Sequence, residues 1–251
     1  MTIKNPDREA IAHGHITNES LRAKPATPAW ALKLSMAVTG LIFVLFVVGH
    51  MAGNLKLYMP AKEGEASIDA YGDFLRTIGE PLLPYEGFLW IVRVVLLAAI
   101  AIHIYGAIVL TARAKQSRGK FTRTNLMGGL DSFATRTMLV TGLILLLFII
   151  FHILDLTLGV APAATEQFVY GNVKDNMIAT FSRWPVTIFY VLAMVALFLH
   201  MTHGIKLAAS DLGIAGYKVR QVFVFLAYVI PAVVVIGNII MPLSIALGWV
   251  S

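Results

Sequence analysis

Five long apolar stretches separate the polar positions of this chain, and none of them contains Asp, Glu, Lys or Arg. They span residues 34–55, 94–112, 137–154, 184–205 and 221–251. A helix needs about 20 residues to cross a hydrocarbon core of roughly 30 Å. The second and third stretches are slightly short, so we expect their helices to continue past Arg93 and Arg136, whose side chains can reach the interface. The pattern predicts five transmembrane helices.

The beginning of the chain is polar and contrasts with this pattern. Prolines occur at positions 6, 25 and 28, and no short apolar segment typical of a cleaved signal peptide precedes the first stretch. We therefore predict a tail over residues 1–28 and a single transmembrane domain over residues 29–251. The composition agrees, because only 14% of the residues are charged, against about a quarter in a typical soluble domain.

Lys and Arg are distributed unevenly between the predicted loops. With the N-terminus inside, the tail and inner loops hold 14 basic residues and the outer loops hold 6. The positive-inside rule then favours a cytoplasmic N-terminus and an outer C-terminus. The net charge of +6 is thus attributed to membrane orientation and not to binding of nucleic acid.

Four of the predicted helices each carry one deep histidine. An unsatisfied polar side chain in hydrocarbon costs several kcal/mol, so each imidazole needs a partner. The chain has no cysteine, which excludes disulfides, a CxxCH haem attachment and a thiolate-ligated iron–sulfur cluster. Haem bound without a covalent link is the leading candidate, and a histidine bonded to a neighbouring helix is the alternative for any one of them. The four residues are His50, His103, His152 and His200.

Helix direction places these histidines at two depths. Each lies past the middle of its helix, and successive helices run in opposite directions. His50 and His152 therefore fall in the outer half, while His103 and His200 fall in the inner half. The difference in depth is on the order of 10 Å. We predict two stacked haems, each bound by two histidines.

A repeated segment supports this pairing. Residues 39–50 (TGLIFVLFVVGH) and 141–152 (TGLILLLFIIFH) are near copies, and each ends in a histidine of the outer pair. At the start of each copy, Thr39 or Thr141 lies 11 residues before that histidine, where its hydroxyl can satisfy a backbone carbonyl or point into the bundle. Three glycines would clear space for a porphyrin, unless they only serve helix contacts: Gly53, Gly106 and Gly204.

Five stretches carry a resemblance to a known family. They read GHMAGNL (49–55), LWIVR (89–93), AIHIYG (101–106), TRTMLVTGLILLLFIIFHILD (135–155) and ALFLHMTHGIKLAASDLG (196–213). They resemble the cytochrome b membrane-anchor subunit of succinate dehydrogenases and fumarate reductases, in the single-subunit, five-helix, dihaem form of bacteria. The resemblance covers nearly the whole chain from about residue 20.

The resemblance implies an all-α protein of the bacterial cytoplasmic membrane, with a four-helix haem-binding bundle and a fifth helix. It implies one axial ligand on each of the first four helices, pairing the first with the third and the second with the fourth. His200 lies four residues before the glycine of the family's last ligand motif, so we predict it as the ligand, with His203, three residues later, as the alternative. We predict His203 as a propionate or quinone-site neighbour. Arg93 and Arg136 are predicted propionate partners in the outer and inner halves, and snorkelling arginines are the alternative.

The same resemblance implies the chain's role in a larger enzyme. No dicarboxylate or flavin site is visible, so this chain would be the non-catalytic anchor of a succinate:quinone oxidoreductase. FAD and iron–sulfur clusters would lie in a flavoprotein subunit and an iron–sulfur subunit, and the latter would dock on the basic cytoplasmic face. The electron acceptor would be a quinone, with menaquinone implied by the two-haem form. A quinone site on the outer side would need a proton acceptor near His50 and His152. The candidates lie in the acidic outer loop: Glu63, Glu65, Glu80 and Glu86.

Other assignments stay open at this stage. The chain could be the dihaem anchor of a nitrate reductase or hydrogenase, although those anchors typically draw their ligands from fewer helices. It could also be a haem-free transporter with buried polar histidines. Membrane lipid is a partner in each case, and a higher oligomer of the whole complex is left open.

Overall fold

Helices form over all five apolar stretches in the structure, a computed structural model that describes residues 26–61, 64–118 and 129–250. Within those ranges the chain forms seven α-helices: α1 (Ala29–Asn54), α2 (Ser67–Thr77), α3 (Gly87–Arg118), α4 (Gly129–His152), α5 (Val173–Phe181), α6 (Trp184–Asp211) and α7 (Tyr217–Ala246). A 3-10 turn over Leu55–Tyr58 continues α1, and a π-helical segment over Ile153–Thr157 continues α4. The predicted all-α class is confirmed.

Five of these helices, α1, α3, α4, α6 and α7, are long and apolar enough to cross a membrane, which confirms the predicted number. The second span covers Gly87–Ser117 and the third covers Thr135–Thr157. Both therefore extend past the arginine that bounded the apolar stretch, Arg93 in one case and Arg136 in the other. Most of the predicted tail, residues 1–25, lies outside the described residues.

The bundle is organised around α6, which packs against α1, α4 and α7, while α3 packs against α1. Ala193, Ala196 and Ala208 on α6 are buried, and such small side chains let neighbouring helices approach closely. Large apolar side chains instead point outward, as a surface facing lipid requires. Examples are Leu45, Leu97, Leu192 and Phe225.

The two ends of the bundle differ. At one end, which we call the loop end, α2 and α5 cover the bundle and contribute Ile68 and Phe181 to a core cluster with Tyr190 of α6. At the opposite end, Lys33 of α1 forms an ion pair with Asp211 of α6 at 3.6 Å. The loop end carries the long connections that were predicted to lie outside. The side of the membrane on which it lies stays a prediction.

Candidate functional site

The four deep histidines form two pairs inside the bundle. The ring centroids of His50 on α1 and His152 on α4 lie 5.7 Å apart. Those of His103 on α3 and His200 on α6 lie 6.3 Å apart. The first pair lies towards the loop end and the second towards the opposite end. Helix direction and the repeated segment predicted the same two pairs, and their role as iron ligands stays a prediction.

The separation between the pairs follows from a contact on α1. Thr39 touches the ring of His103, and it lies 11 residues before His50 on the same helix. At 1.5 Å per residue, the two pairs are about 16 Å apart along the helix. The separation is somewhat larger than the estimate made from the sequence, and it leaves two distinct sites in one bundle.

A threonine hydroxyl determines the tautomer of His103. Thr39 Oγ1 lies 3.1 Å from His103 Nδ1 and 2.8 Å from the carbonyl oxygen of Ser35. A hydroxyl has a single proton, and the Ser35 carbonyl can only accept it. The Nδ1–H of His103 therefore donates to Thr39, and this network assigns Nε2 as the unprotonated ring nitrogen.

The second copy of the repeat does the same for the other ring of this pair. Thr141 Oγ1 lies 3.2 Å from His200 Nδ1, and it donates to the carbonyls of Thr137 and Met138, each at 3.1 Å. Each repeat thus begins with a threonine that holds one pair and ends with a histidine of the other pair. Each threonine hydroxyl thus bonds a backbone carbonyl and also points into the bundle, the two roles that the sequence left open.

Two glycines that follow these threonines lie against the same rings. A Cβ on Gly40 would be 3.6 Å from His103 Cε1, and one on Gly142 would be 3.4 Å from His200 Cε1. Each imidazole therefore packs directly on bare helix backbone. Sequence analysis did not single out these glycines, although they occupy the same position in both copies of the repeat.

The three glycines that were singled out have other surroundings. A Cβ on Gly53 would meet the Tyr71 ring at 2.6 Å, and one on Gly106 would meet Met36 at 2.6 Å. These two glycines serve contacts between elements, which was the alternative interpretation. Gly204 has no neighbour within 4 Å of such a Cβ.

The pair at the loop end has a different hydrogen-bond partner. The hydroxyl of Tyr190 lies 3.3 Å from His152 Nδ1 and 3.2 Å from Asp155 Oδ2. The tyrosine hydroxyl donates a hydrogen bond to the carboxylate and accepts one from the Nδ1–H of His152, so Nε2 is again the unprotonated nitrogen. Two phenylalanines stack on the pair, Phe46 on His50 and Phe148 on His152.

Asp155 is buried and fully hydrogen-bonded. Its Oδ1 accepts from Thr180 Oγ1 at 3.1 Å and from Arg183 Nη2 at 2.8 Å. Arg183 also donates to the carbonyl of Ala163 at 2.8 Å. A charged residue within a membrane span needs such partners and commonly marks a functional site. Sequence analysis quoted this aspartate in a family motif without a role; its position three residues after His152 in an apolar span was the available signal.

His203 and Arg136 lie nearer the opposite end. The Oγ1 of Thr135 is 3.4 Å from both ring nitrogens of His203, and Thr135 precedes Thr141 by six residues on α4. The ring of His203 is thus further towards that end than the ring of His200, which faces His103. Arg136 is exposed at the same level. The geometry favours His200 over His203 as the partner of His103.

Arg93 is part of an ion-pair cluster at the loop end. Its Nη1 lies 3.2 Å from Glu86 Oε2, and its guanidinium lies over the Trp90 ring. Glu86 also interacts with Arg76 at 3.8 Å and with the hydroxyl of Tyr170. Two guanidinium groups therefore hold Glu86, one of the candidate proton acceptors. The role of Arg93 at a propionate stays a prediction, and Glu63 lies outside the described residues.

The donor set fits a haem. An imidazole nitrogen binds a transition metal at about 2 Å and lies about 1 Å from its ring centre, so two rings on opposite sides of one metal have centroids roughly 6 Å apart. Both pairs match this spacing. Among the described residues, no three His, Asp or Glu side chains come together as a metal site. Two imidazoles are too few for a protein-held zinc site, but they complete a metal that already has four porphyrin nitrogens.

Comparison with known proteins agrees with the motifs. Residues 122–240 match the family described as succinate dehydrogenase/fumarate reductase transmembrane subunit. The match covers slightly less than half of the chain and includes Arg136, His152, His200 and His203. Searches of curated proteins and of solved structures gave no match. Over residues 122–240, the match supports the resemblance to this family of transmembrane subunits, and the five spans support a multi-pass membrane protein.

Proposed function

Starting from the match to succinate dehydrogenase/fumarate reductase transmembrane subunits, we propose that this chain is the dihaem cytochrome b anchor of a succinate:quinone oxidoreductase. One b haem lies between His50 and His152, and the other lies between His103 and His200. Electrons from an iron–sulfur subunit pass through both haems to a quinone, which we take to be menaquinone. The observation that carries the proposal is the presence of two facing imidazole pairs at two depths of one membrane bundle.

The chain's own task is to prepare the imidazoles. When bound, each haem supplies a one-electron carrier whose potential depends on its axial ligands. A ligating histidine needs its other ring N–H bonded, because this bond fixes the tautomer and the orientation of the ring. Thr39 and Thr141 accept that bond from the pair at the opposite end, and Tyr190 accepts it from His152.

Three further residues that the sequence predicted near the haems are assigned by position. We assign Arg136 and His203 to the surroundings of the haem at the opposite end, because both lie beyond His200 on that side. We assign Arg93 to the loop-end haem, where its guanidinium also holds Glu86. A propionate is a suitable further partner for either arginine, because a guanidinium can bind two oxygens at once.

The partner subunits would bind at the opposite end. Basic residues lie there near the last turns of α6 and the first turn of α7, among them Lys206, Lys218 and Arg220. The iron–sulfur subunit docks on this surface and receives electrons from a flavoprotein subunit, which holds FAD and the dicarboxylate site. Members of this family are generally the membrane subunit of such a complex.

Quinone reduction is proposed at the loop end, near the pair His50 and His152. Protons for the quinol would then come from the outer side, while succinate oxidation releases protons inside. Turnover would dissipate the membrane potential, and each electron that crosses the full membrane is worth about 2.3 kcal/mol per 100 mV. The pair at the loop end supports this placement, because a quinone site at the opposite end would not need it.

The test is purification of the chain with its partners from a membrane extract. We expect two b haems per copy of the chain, measured from the absorbance of the extracted haem against the protein amount. We also expect succinate-dependent reduction of a menaquinone analogue by the same preparation. A folded complex with one haem or none would contradict the proposal, and a haem-free chain would point to the transporter alternative.

A further inference from the structure

The two histidine pairs differ in what lies behind the imidazole. Behind His103 and His200, a threonine hydroxyl donates a hydrogen bond to a neutral backbone carbonyl. Behind His152, the Tyr190 hydroxyl donates a hydrogen bond to the carboxylate of Asp155. Only the loop-end pair is therefore connected through a hydroxyl to a charged group among the described residues.

This connection is built into the fold. The Asp155 side chain is fully buried, and Tyr190 and Arg183 bind different oxygens of the carboxylate. Asp155 lies in the π-helical segment Ile153–Thr157 that directly follows His152. Such wider turns are rare and occur frequently at functional sites. The segment places the carboxylate beside the same tyrosine that contacts the histidine ring.

A carboxylate in this position changes the imidazole. When the Tyr190 hydroxyl donates to an anion, its oxygen becomes a stronger acceptor for the Nδ1–H of His152, because successive hydrogen bonds polarise one another. The ring then becomes a more basic, more electron-rich ligand, an effect that carboxylates bonded to ligating histidines commonly have. An electron-rich ligand stabilises the oxidised metal and lowers its reduction potential.

We propose that Tyr190 and Asp155 are positioning residues for His152, which fix its ring and lower the reduction potential of the loop-end haem. The inference rests on the proposed function, since it needs a haem between His50 and His152. Arg183 limits the effect, because it shares the carboxylate charge through Oδ1. The other carboxylate oxygen, Oδ2, still accepts the hydrogen bond from the Tyr190 hydroxyl.

The test compares variants of the purified complex by redox titration of the haem absorbance and by electron paramagnetic resonance (EPR) of the oxidised haems. Tyr190→Phe removes the hydroxyl but keeps the ring, which packs on Phe148 and Phe181. Asp155→Asn keeps the shape and removes the charge. Both variants should raise the potential of the loop-end haem by on the order of a tenfold change in its reduction equilibrium, about 59 mV for one electron. The EPR signal of that haem should also change.

A matched control is Tyr58→Phe. It removes another tyrosine hydroxyl at the loop end, bonded to Ser244 Oγ at 2.8 Å, without acting on His152. Its two haem potentials should equal those of the wild type. The haem of His103 and His200 should keep its potential and its EPR signal in all three variants.

The outcomes separate the inference from the proposed function. If the wild-type complex contains a loop-end haem whose potential and EPR signal are unchanged in Tyr190→Phe, the inference is wrong and the proposed function stands. If the wild-type complex contains no such haem, the proposed function fails before any variant is made. Should the Asp155→Asn complex fail to assemble, Tyr190→Phe decides alone because its ring contacts are retained.

Discussion

The loop end and the opposite end of the bundle hold their histidine pairs by different means. At the opposite end, the repeated segments of α1 and α4 supply a threonine and a glycine to each ring, so two helix contacts suffice. At the loop end, the ring of His152 depends on Tyr190 and, behind it, on Asp155 and Arg183. One site is thus contained within the helices, while the other is supported by the loops and the π-helical segment.

The difference shows that a duplicated segment need not produce two equivalent sites. Each copy of the repeat contributes its first residues to one pair and its last residue to the other. The hydrogen-bond partners of the rings then come from the repeat at one depth and from residues outside it at the other. A repeated helical segment can therefore place two histidine pairs among different hydrogen-bond partners.

The largest effect is expected from breaking the buried support of the loop end. Asp155→Ala leaves Arg183 without its carboxylate and removes two further hydrogen bonds. Because Arg183 is partly exposed, we expect a cost of about 2 to 3 kcal/mol. Thermal unfolding of the purified complex should show a lower midpoint.

The ion pair at the opposite end provides the contrast for this prediction. Lys33→Ala removes the partner of Asp211 in a half-exposed pair, and it should cost less than about 1 kcal/mol. Equal losses in the two variants would show that the loop end has no special buried support.

The next effect concerns the opposite end. Thr141→Val removes the hydroxyl that accepts from His200 Nδ1. It should weaken haem binding there by about tenfold, as loss of the hydrogen-bond partner of a ligating histidine does. Haem affinity would be measured by transfer of haem from the detergent-solubilised complex to a haem-binding acceptor protein. Thr141→Ser keeps a hydroxyl and should restore binding. A uniform loss of both haems in Thr141→Val would mean that the two sites are not independent.

The sequence alone predicted the five spans and the two histidine pairs, but not the hydrogen-bond partners of those histidines. The five spans followed from charge-free stretches, and the two pairs followed from helix direction, because both depend only on local pattern and alternation. The partners of Thr39 and Thr141 depend on how far neighbouring helices are shifted along each other, which no single segment specifies. The same holds for Gly40 and Gly142, which the sequence analysis missed.

The loop end was harder to predict for a physical reason. Asp155 reaches Tyr190 only because the helix widens into a π turn after His152, and an α-helical extrapolation would misplace it. Arg93 finds Glu86 because the loop before α3 turns at Glu86 itself, a residue with φ of 62°. Both arrangements depend on irregular backbone, where periodicity carries no information.

A smaller effect is expected from the membrane potential. If quinone is reduced at the loop end, uncouplers should slow succinate-driven menaquinone reduction in intact vesicles, because the potential helps drive electrons outward. The solubilised enzyme should not respond to them. Equal rates in coupled and uncoupled vesicles would place the quinone site at the opposite end.

The smallest effect on haem content is expected from His203→Ala. This ring contacts Thr135 and lies beyond the pair at the opposite end, so both haems should be retained, with a change in quinone kinetics at most. Haem quantification of the purified variant gives the answer. Loss of the haem at the opposite end in this variant, with its retention in His200→Ala, would exchange the roles of the two histidines.

The most direct measurement of the central claim is the haem content of single histidine variants of the purified complex. His50→Ala and His152→Ala should each remove the same haem and leave the spectrum of the other intact. His103→Ala and His200→Ala should each remove the second haem. This pattern would establish two independent sites formed by the observed pairs. Loss of both haems in every folded variant, or no loss in any of them, would contradict the account.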